Sequence, residues 1–445
     1  MQLTPEKKIR GALVAATCTL LGHAAPAVAD EGDWSFDSAV LYYNETDRVT
    51  AIEPVFTARR ELVDDGLLDL KLVFDSLTGA SANGAMPSSQ PQTFTRPSGN
   101  GFYTTPVGET PLDDTFHDTR GQVSANWIRW LGTDWKMTLG GNVSSEYDFQ
   151  SVAANALFAR DFNKRNTTLS FGLSLESDSM DPVGGVPTPL MRMITEGSTG
   201  AVESVPNTPG LDTDDVDYRD SSESKTVTDF LVGLTQVVDR ETVVQLNYNY
   251  SITDGYLNDP YKLVSVIESD PAATNYGDPL YHVYENRPDS RSRHTVYVGG
   301  KRWFDGDILN ASYRFMTDDW GIDSHTIDVR YRWKFSDQQY IEPHVRWYSQ
   351  SAADFYSRGL LDTDAIPTEV SADYRIGEMT ATTIGAQYGY AFSENSEFRF
   401  RLEYYSQDSN ESDSGSNVAI GSQQAFDLYP TVDATIVQFS YSFKF

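Results

Sequence analysis

Thr435-Ile436-Val437-Gln438-Phe439-Ser440-Tyr441-Ser442-Phe443-Lys444-Phe445 alternates apolar and polar to its last residue. Successive residues of a strand project to opposite faces, so Val437, Phe439, Tyr441, Phe443 and Phe445 share one face and Gln438, Ser440, Ser442 and Lys444 the other. One face needs an apolar neighbour and the other needs water. The same period recurs upstream. Leu169, Phe171, Leu173 and Leu175 oppose Ser170, Ser174 and Glu176, and Ile327, Val329, Tyr331 and Trp333 oppose Asp328, Arg330 and Arg332. In the clearest runs the charges sit on the second face alone.

Period-two runs predict about sixteen strands: 34–43, 49–62, 67–76, 119–131, 136–145, 152–161, 166–176, 226–237, 242–251, 293–303, 307–316, 324–333, 340–349, 374–390, 397–405 and 430–445. The connections alternate in length. Asp64-Asp65-Gly66, Gly132-Thr133-Asp134-Trp135, Asp305-Gly306 and Ser336-Asp337-Gln338 are tight turn formers, whereas 76–118, 177–225, 252–292, 350–373 and 406–429 are long and rich in Pro, Gly, Asp and Ser. Short turns on one rim and long loops on the other fit a transmembrane antiparallel up-and-down β-barrel with periplasmic turns and extracellular loops. Lipid offers no hydrogen bonds, so the sheet must close, and Trp34 to Tyr43 is expected to pair with Thr431 to Phe445.

The other end of the chain agrees. Lys7, Lys8 and Arg10, the apolar run Gly11 to Leu21 and the small residues Ala27-Val28-Ala29 read as a Sec signal peptide over 1–29, leaving 30–445 as one barrel domain. No later run reaches the ~18 apolar residues of a spanning helix. The single cysteine, Cys18, lies inside that leader, which excludes disulfide, thiolate and Cys-ligated metal chemistry from the remainder. A net charge of −30 makes nucleic acid an unsuitable partner. Hydrophobic residues amount to only 39%, yet the chain holds 25 Tyr, 22 Phe and 8 Trp, a mixture suited to interfacial girdles around a wet interior.

Two resemblances add to this. The aromatics Phe439, Tyr441, Phe443 and Phe445 resemble the C-terminal signal read by the barrel assembly machinery. Asp75-Ser76-Leu77-Thr78-Gly79-Ala80-Ser81, Gly255-Tyr256-Leu257-Asn258-Asp259-Pro260-Tyr261-Lys262, Glu285-Asn286-Arg287-Pro288-Asp289-Ser290-Arg291, Thr317-Asp318-Asp319-Trp320-Gly321-Ile322-Asp323-Ser324-His325 and Gln350-Ser351-Ala352-Ala353-Asp354-Phe355-Tyr356 resemble a family of uncharacterised proteobacterial outer-membrane barrels, a domain of unknown function. That resemblance implies an outer-membrane location in a Gram-negative bacterium, with lipid and lipopolysaccharide around the barrel. Through an association with thioredoxin-like and flavin-transferase proteins, it also implies periplasmic redox partners as an alternative role. It supplies no catalytic residues and no cofactor.

Arg314, Arg330, Arg332, His344, Arg346, Arg399 and Arg401 fall on inward faces of consecutive strands, interleaved with Asp328, Glu342 and Glu403. Such a wall either sets a constriction field that orients small solutes or braces the interior as a salt-bridge network. The acids Asp212, Asp214, Asp215, Asp217, Asp220 and Glu223 echo a calcium loop in spacing, but Val216 and Asp217 stand where an oxygen ligand and a Gly are needed, so they read as a solvated acidic loop, with weak divalent-cation bridging to lipopolysaccharide as the alternative. Tyr256 to Lys262 and Asp318 to Asp323 read as Asx- and Pro-made turns, with a ligand surface as the alternative. His282, His294, His325 and His344 are scattered, and His325 with Asp323, Asp318 and Asp319 is the least unfavourable hydrolytic set. These residues favour a porin-like or substrate-specific channel, with a non-conducting scaffold barrel second and an outer-membrane enzyme third.

Overall fold

The computed structural model describes residues 34–62, 66–96, 102–182, 185–193, 219–220, 222–409, 418–429 and 431–445. Alternating residues build sixteen antiparallel strands: β1 (Trp34–Glu45), β2 (Val49–Leu62), β3 (Gly66–Ala82), β4 (Leu112–Leu131), β5 (Trp135–Ser145), β6 (Phe149–Phe162), β7 (Thr167–Met180), β8 (Glu223–Val237), β9 (Thr242–Gly255), β10 (Ser290–Phe304), β11 (Asp307–Asp318), β12 (Asp323–Lys334), β13 (Gln339–Gln350), β14 (Met379–Ser393), β15 (Ser396–Ser409) and β16 (Val432–Lys444). Each pairs with its sequence neighbours, and β16 pairs with β1 to close the barrel. The seam runs from Ser35↔Lys444 to Glu45↔Ala434. Stacked rings cover it outside: Phe36 and Phe443 lie 5.1 Å apart, and Phe443 and Phe445 5.8 Å.

The outward faces are apolar around the whole circumference, with Leu246 47%, Val345 50%, Ile384 58% and Leu402 49% exposed. A continuous band of this kind has lipid, and not water, as its medium. Among the described residues no helix is long and apolar enough to cross a membrane, so the strands do the crossing. At the short-turn rim, outward arginines lie over outward tryptophans: Arg60 over Trp34 at 5.3 Å, Arg160 over Trp135 at 5.1 Å and Arg129 over Trp127 at 5.8 Å. Cation–π pairs place both an apolar ring and a charge at one depth, as a membrane–water boundary requires.

Tight turns follow their residues. Asp305 and Gly306 take φ of 45° and 113°, the doubly left-handed pair of a two-residue hairpin, and Phe304 and Asp307 pair directly across them. Most expected boundaries move by one to four residues, and three move further. β3 and β4 extend beyond 67–76 and 119–131, because the Gly79/Ser81 register shift lets the pair continue past the bulge. The strand expected from 374 starts at Met379 instead. Asp373 caps a 3-10 turn over Tyr374–Ile376 by accepting from the Arg375 N–H, which removes that segment from the ladder. The leader expected over 1–29, the Asp64-Asp65 turn and most of the acidic loop, 212–217, lie outside the described residues; Arg219–Asp220 forms a short bridge to Val186–Pro187.

The largest dry cores lie in the loops. Leu263–Ile267 is buried at every position and forms a three-stranded sheet with Pro279–Tyr284 and Leu360–Leu361. Val264, Val266, Val283 and Val370 pack around it. Met86, Ile267, Val418 and Leu428, with Leu361 packed against them, join the loops after β3, β9, β13 and β15. Burying such side chains stabilises by about 1.5–3 kcal/mol each, enough to hold these loops as a folded roof.

Candidate functional site: a roofed lumen with two charged walls

Alternation aims one polar set of side chains inward, and the loop roof turns the upper half of that interior into a cavity of about 980 Å³. Tyr348 and Gln350 of β13, Asp178 of β7 and Arg401 of β15 line its wall, while Asp259, Tyr261, Asp373 and Arg375 form its ceiling. The ceiling is tied to the wall. Gln350 Nε2 donates to Gly377 O at 2.7 Å and Arg375 O at 3.1 Å, the Tyr261 hydroxyl donates to Asp148, and Lys262 Nζ donates to Ala82 O at the end of β3.

Buried charges hold the ceiling together. Arg375 Nε donates to Asp373 at 2.7 Å and its Nη2 to Asp259 at 2.6 Å. Arg287 Nη2 donates to Asp373 at 2.8 Å and to Glu285 at 3.0 Å. Burial pushes the Asp373 carboxyl up, but Arg375, Lys262 and Arg287 outweigh it and hold the group well below the usual carboxylate range. Burial pushes Glu285 up and Lys262 down. Asp259 Oδ1 also accepts the Tyr261 N–H at 3.0 Å, and Asp318 Oδ1 accepts the Trp320 N–H at 3.1 Å, so both motifs form Asx turns. The first of these turns is part of the cavity surface as well.

His282 sits within the roof, 3.0 Å from Ser265 Oγ through Nδ1 and 5.1 Å from the Phe94 ring. Burial, then Arg192, lowers its pKa from 6.5 to about 4. The folded roof thus favours the neutral ring, and its stability is fully present above pH 6.5 and falls as pH drops toward 4. The loss over that window is on the order of 3 kcal/mol. Hydrogen-exchange protection factors of residues 263–267 and 279–284, which are corrected for the intrinsic pH dependence of exchange, should fall between pH 6.5 and 4.5, and His282→Gln should flatten the dependence. An equal fall in both proteins would place the sensitivity elsewhere.

All the expected inward residues fall on the inner wall, although they do not form one ladder. His344 lies between two carboxylates, Nδ1 at 2.8 Å from Glu403 and Nε2 at 3.0 Å from Asp328. An imidazole can donate to both only as the imidazolium. Arg330 Nε lies 3.4 Å from Asp328, and Arg401 Nε 3.9 Å from Glu403. Lower down, Arg332 pairs with Glu342 at 2.8 Å and Arg399 with Asp37 at 2.5 Å. Arg314 leans over the Tyr297 ring at 5.9 Å. Arg330, His344, Arg346, Arg401 and Glu403 reach the cavity. His325 instead faces outward, its Nδ1 2.7 Å from the Tyr313 hydroxyl, while Asp318 turns inward to pair with Arg291. These positions disperse the hydrolytic set suggested by spacing. Among the described residues, no group of three or more His, Cys, Asp or Glu has metal-binding geometry.

Sequence reading missed the glycines that permit these contacts. Gly385 of β14 stands between His344 and Glu403 in register, and Gly389 between Tyr340 and Arg399. A Cβ on Gly385 would collide with Leu402 O and Glu403 Cγ, and one on Gly389 would collide with the Tyr340 ring. Two glycines four apart on one strand are the signal that could have revealed side chains reaching across it. Gly385→Ala should therefore cost about 1–3 kcal/mol in denaturant unfolding. Gly300→Ala, whose Cβ would meet nothing closer than 3.9 Å, should cost under about 0.5 kcal/mol.

The sequence also concealed the opposing wall. Asp75, Asp118, Asp178, Glu146 and Asp148 line the cavity from β3 to β7. Arg120 pairs with Asp75, and Lys225 approaches Asp178 at 3.7 Å.

A closed sixteen-strand barrel with an apolar exterior and a charged, roofed interior defines a transmembrane β-barrel of the outer-membrane class. The chain belongs to the family described as "Protein of unknown function (DUF3570)", whose model matches residues 10–443. No curated protein matches it. Among solved structures it is similar to a bacterial polysaccharide outer membrane secretin, at 9% identity and TM-score 0.42, covering 94% of this chain and 100% of that one. It is also similar to a TodX mutant monoaromatic hydrocarbon channel, at 10% identity and TM-score 0.39, covering 94% and 91%. The outer membrane protein opdK from Pseudomonas aeruginosa is similar at 9% identity and TM-score 0.36, covering 94% and 100%. Likeness at this level carries no argument about function.

Proposed function

We propose that this protein is a substrate-selective channel of the Gram-negative outer membrane, held closed by its loop roof. The short-turn rim faces the periplasm, and the long-loop rim faces lipopolysaccharide and the exterior. The observation that supports this reading is the cavity itself, about 980 Å³ of charge-lined space inside a sixteen-strand wall, where a barrel serving only as an anchor needs none. In this reading Arg330, Arg346 and Arg401 set the selectivity, with the wall of acids opposite, while Arg332, Arg399 and Arg314 brace the interior. The aromatics Phe439, Tyr441, Phe443 and Phe445 serve the assembly machinery during insertion.

Planar-bilayer recordings test it. In a roof-opened background, the double variant Arg330→Glu/Arg401→Glu should shift the reversal potential in a salt gradient toward cation preference and leave the barrel intact. An unchanged reversal potential would remove the selectivity assignment. A second reading, a non-conducting barrel that anchors an envelope redox assembly, is favoured by the ion-paired ceiling. It predicts no current even after the roof is broken.

A further inference from the structure

Net charge in the cavity is divided by position around the ring: Arg120 stands among the acids of β3–β7 and Glu403 among the cations of β12–β15, but acids prevail on the first side and cations on the second. In a closed sixteen-strand barrel the strand eight places on lies diametrically opposite. Asp118 on β4 therefore faces the wall that carries Arg330 on β12, and Asp178 on β7 faces the wall that carries Arg401 on β15. Glu146 and Asp148, in the turn between β5 and β6, face the side on which β13 carries Arg346. From this division we infer that the cavity binds a short extended peptide with free termini, its ammonium end toward β4–β7 and its carboxylate end toward β12–β15. This assignment rests on the channel reading and names its substrate class.

Three physical points carry it. First, one acid of this wall is short of donors, since Lys225 stands 3.7 Å from Asp178, beyond hydrogen-bond reach. Asp178 is 1% exposed, and neither of its carboxylate oxygens accepts a hydrogen bond. A buried acceptor without a donor is costly, and an ammonium group brings three. Burial and Glu146 push the neighbouring Asp148 carboxyl up, against the pull of Tyr261, so this wall carries its charge at a cost that a cation relieves. Secondly, a purely anionic solute is repelled by one wall and a purely cationic solute by the other, so only separated opposite charges gain from both. Thirdly, the dimensions select the length. Strands ~5 Å apart and tilted by ~40° give a sixteen-strand backbone diameter of roughly 30 Å, and side chains from both walls leave about 15–20 Å. At ~3.3–3.6 Å per residue, an extended peptide of about five residues spans that gap. The cavity volume suits a solute of that order.

The test uses full-length protein in detergent and three forms of Gly-Ser-Gly-Ser-Gly: unmodified, N-acetylated and C-amidated. Calorimetry should give the unmodified peptide about ten-fold tighter binding than either capped form. Asp118→Asn/Asp178→Asn should bring it to the level of the acetylated form. Arg330→Gln/Arg401→Gln should bring it to the level of the amidated form, with heat-modifiable migration retained in both. Equal binding of all three forms, a preference for a capped form, or no binding would overturn the inference. Ion current through the roof-opened barrel with none of this preference would remove the peptide assignment alone, and peptide binding without any current even after the roof is opened by Arg375→Ala would remove the channel reading alone.

Discussion

Arg375→Ala is expected to convert a quiet barrel into a conducting one. Arg375 bridges Asp373 and Asp259 beneath the roof, and Asp373 is 1% exposed. Removing one partner from a buried ion pair costs about 3–5 kcal/mol, chiefly because the remaining charge is stranded. Here Asp259 loses its guanidinium partner and, among the described residues, Asp373 is left with Arg287 alone as its ion pair. The cost falls on the loop cluster, since both carboxylates that Arg375 bridges, Asp259 and Asp373, lie in loops between strands. Channel openings in planar bilayers should rise by an order of magnitude or more relative to wild type. Protease nicking should appear within residues 351–378 while the barrel keeps its heat-modifiable migration. Arg375→Lys, which keeps the charge and loses the fork, should fall between the two. A closed and protease-resistant Arg375→Ala protein would show that the apolar loop clusters hold the roof without this bridge.

The second large effect lies on the outer face. Leu246, mid-strand on β9 and 47% exposed, faces the lipid band, so Leu246→Arg should cost about 2–4 kcal/mol in urea titrations of liposome-reconstituted protein. Asn249, three residues on, points into the lumen and donates to Phe230 O at 3.3 Å. Asn249→Arg should cost under about 1 kcal/mol, because the inner surface is wet. Matching costs at both positions would contradict the division into a lipid face and a water face.

The two positions differ in parity, and parity is what one strand of sequence encodes. Ile327, Val329, Tyr331 and Trp333 against Asp328, Arg330 and Arg332 fixed which way β12 faces before any partner was known. Asp305-Gly306 fixed a two-residue hairpin, because only left-handed conformers close one. The start of β14 escaped, since Asp373-Tyr374-Arg375-Ile376 alternates well enough for a strand until its cap is seen. Of the site, Arg330, His344, Arg346 and Arg401 were legible as inward charges. Their partners were not: His344 reaches Glu403 from 59 residues away, across a glycine. Roof charges such as Arg375 and Asp259 lie 116 residues apart in irregular loops without any period.

The alternating chain, down to Phe439, Tyr441, Phe443 and Phe445, determined by itself that this protein is a barrel with a greasy outside and a charged inside. A period of two is local, and closure follows from the absence of hydrogen-bond partners in lipid. Only the tertiary structure decided what the inside is: that four loops fold into a roof, that Asp118 and Asp178 stand opposite Arg330 and Arg401, and that a cavity remains between them. Those facts depend on which strands face each other across the ring and on which loop cores find one another. Such long-range pairings leave no trace in the alternation of any single strand.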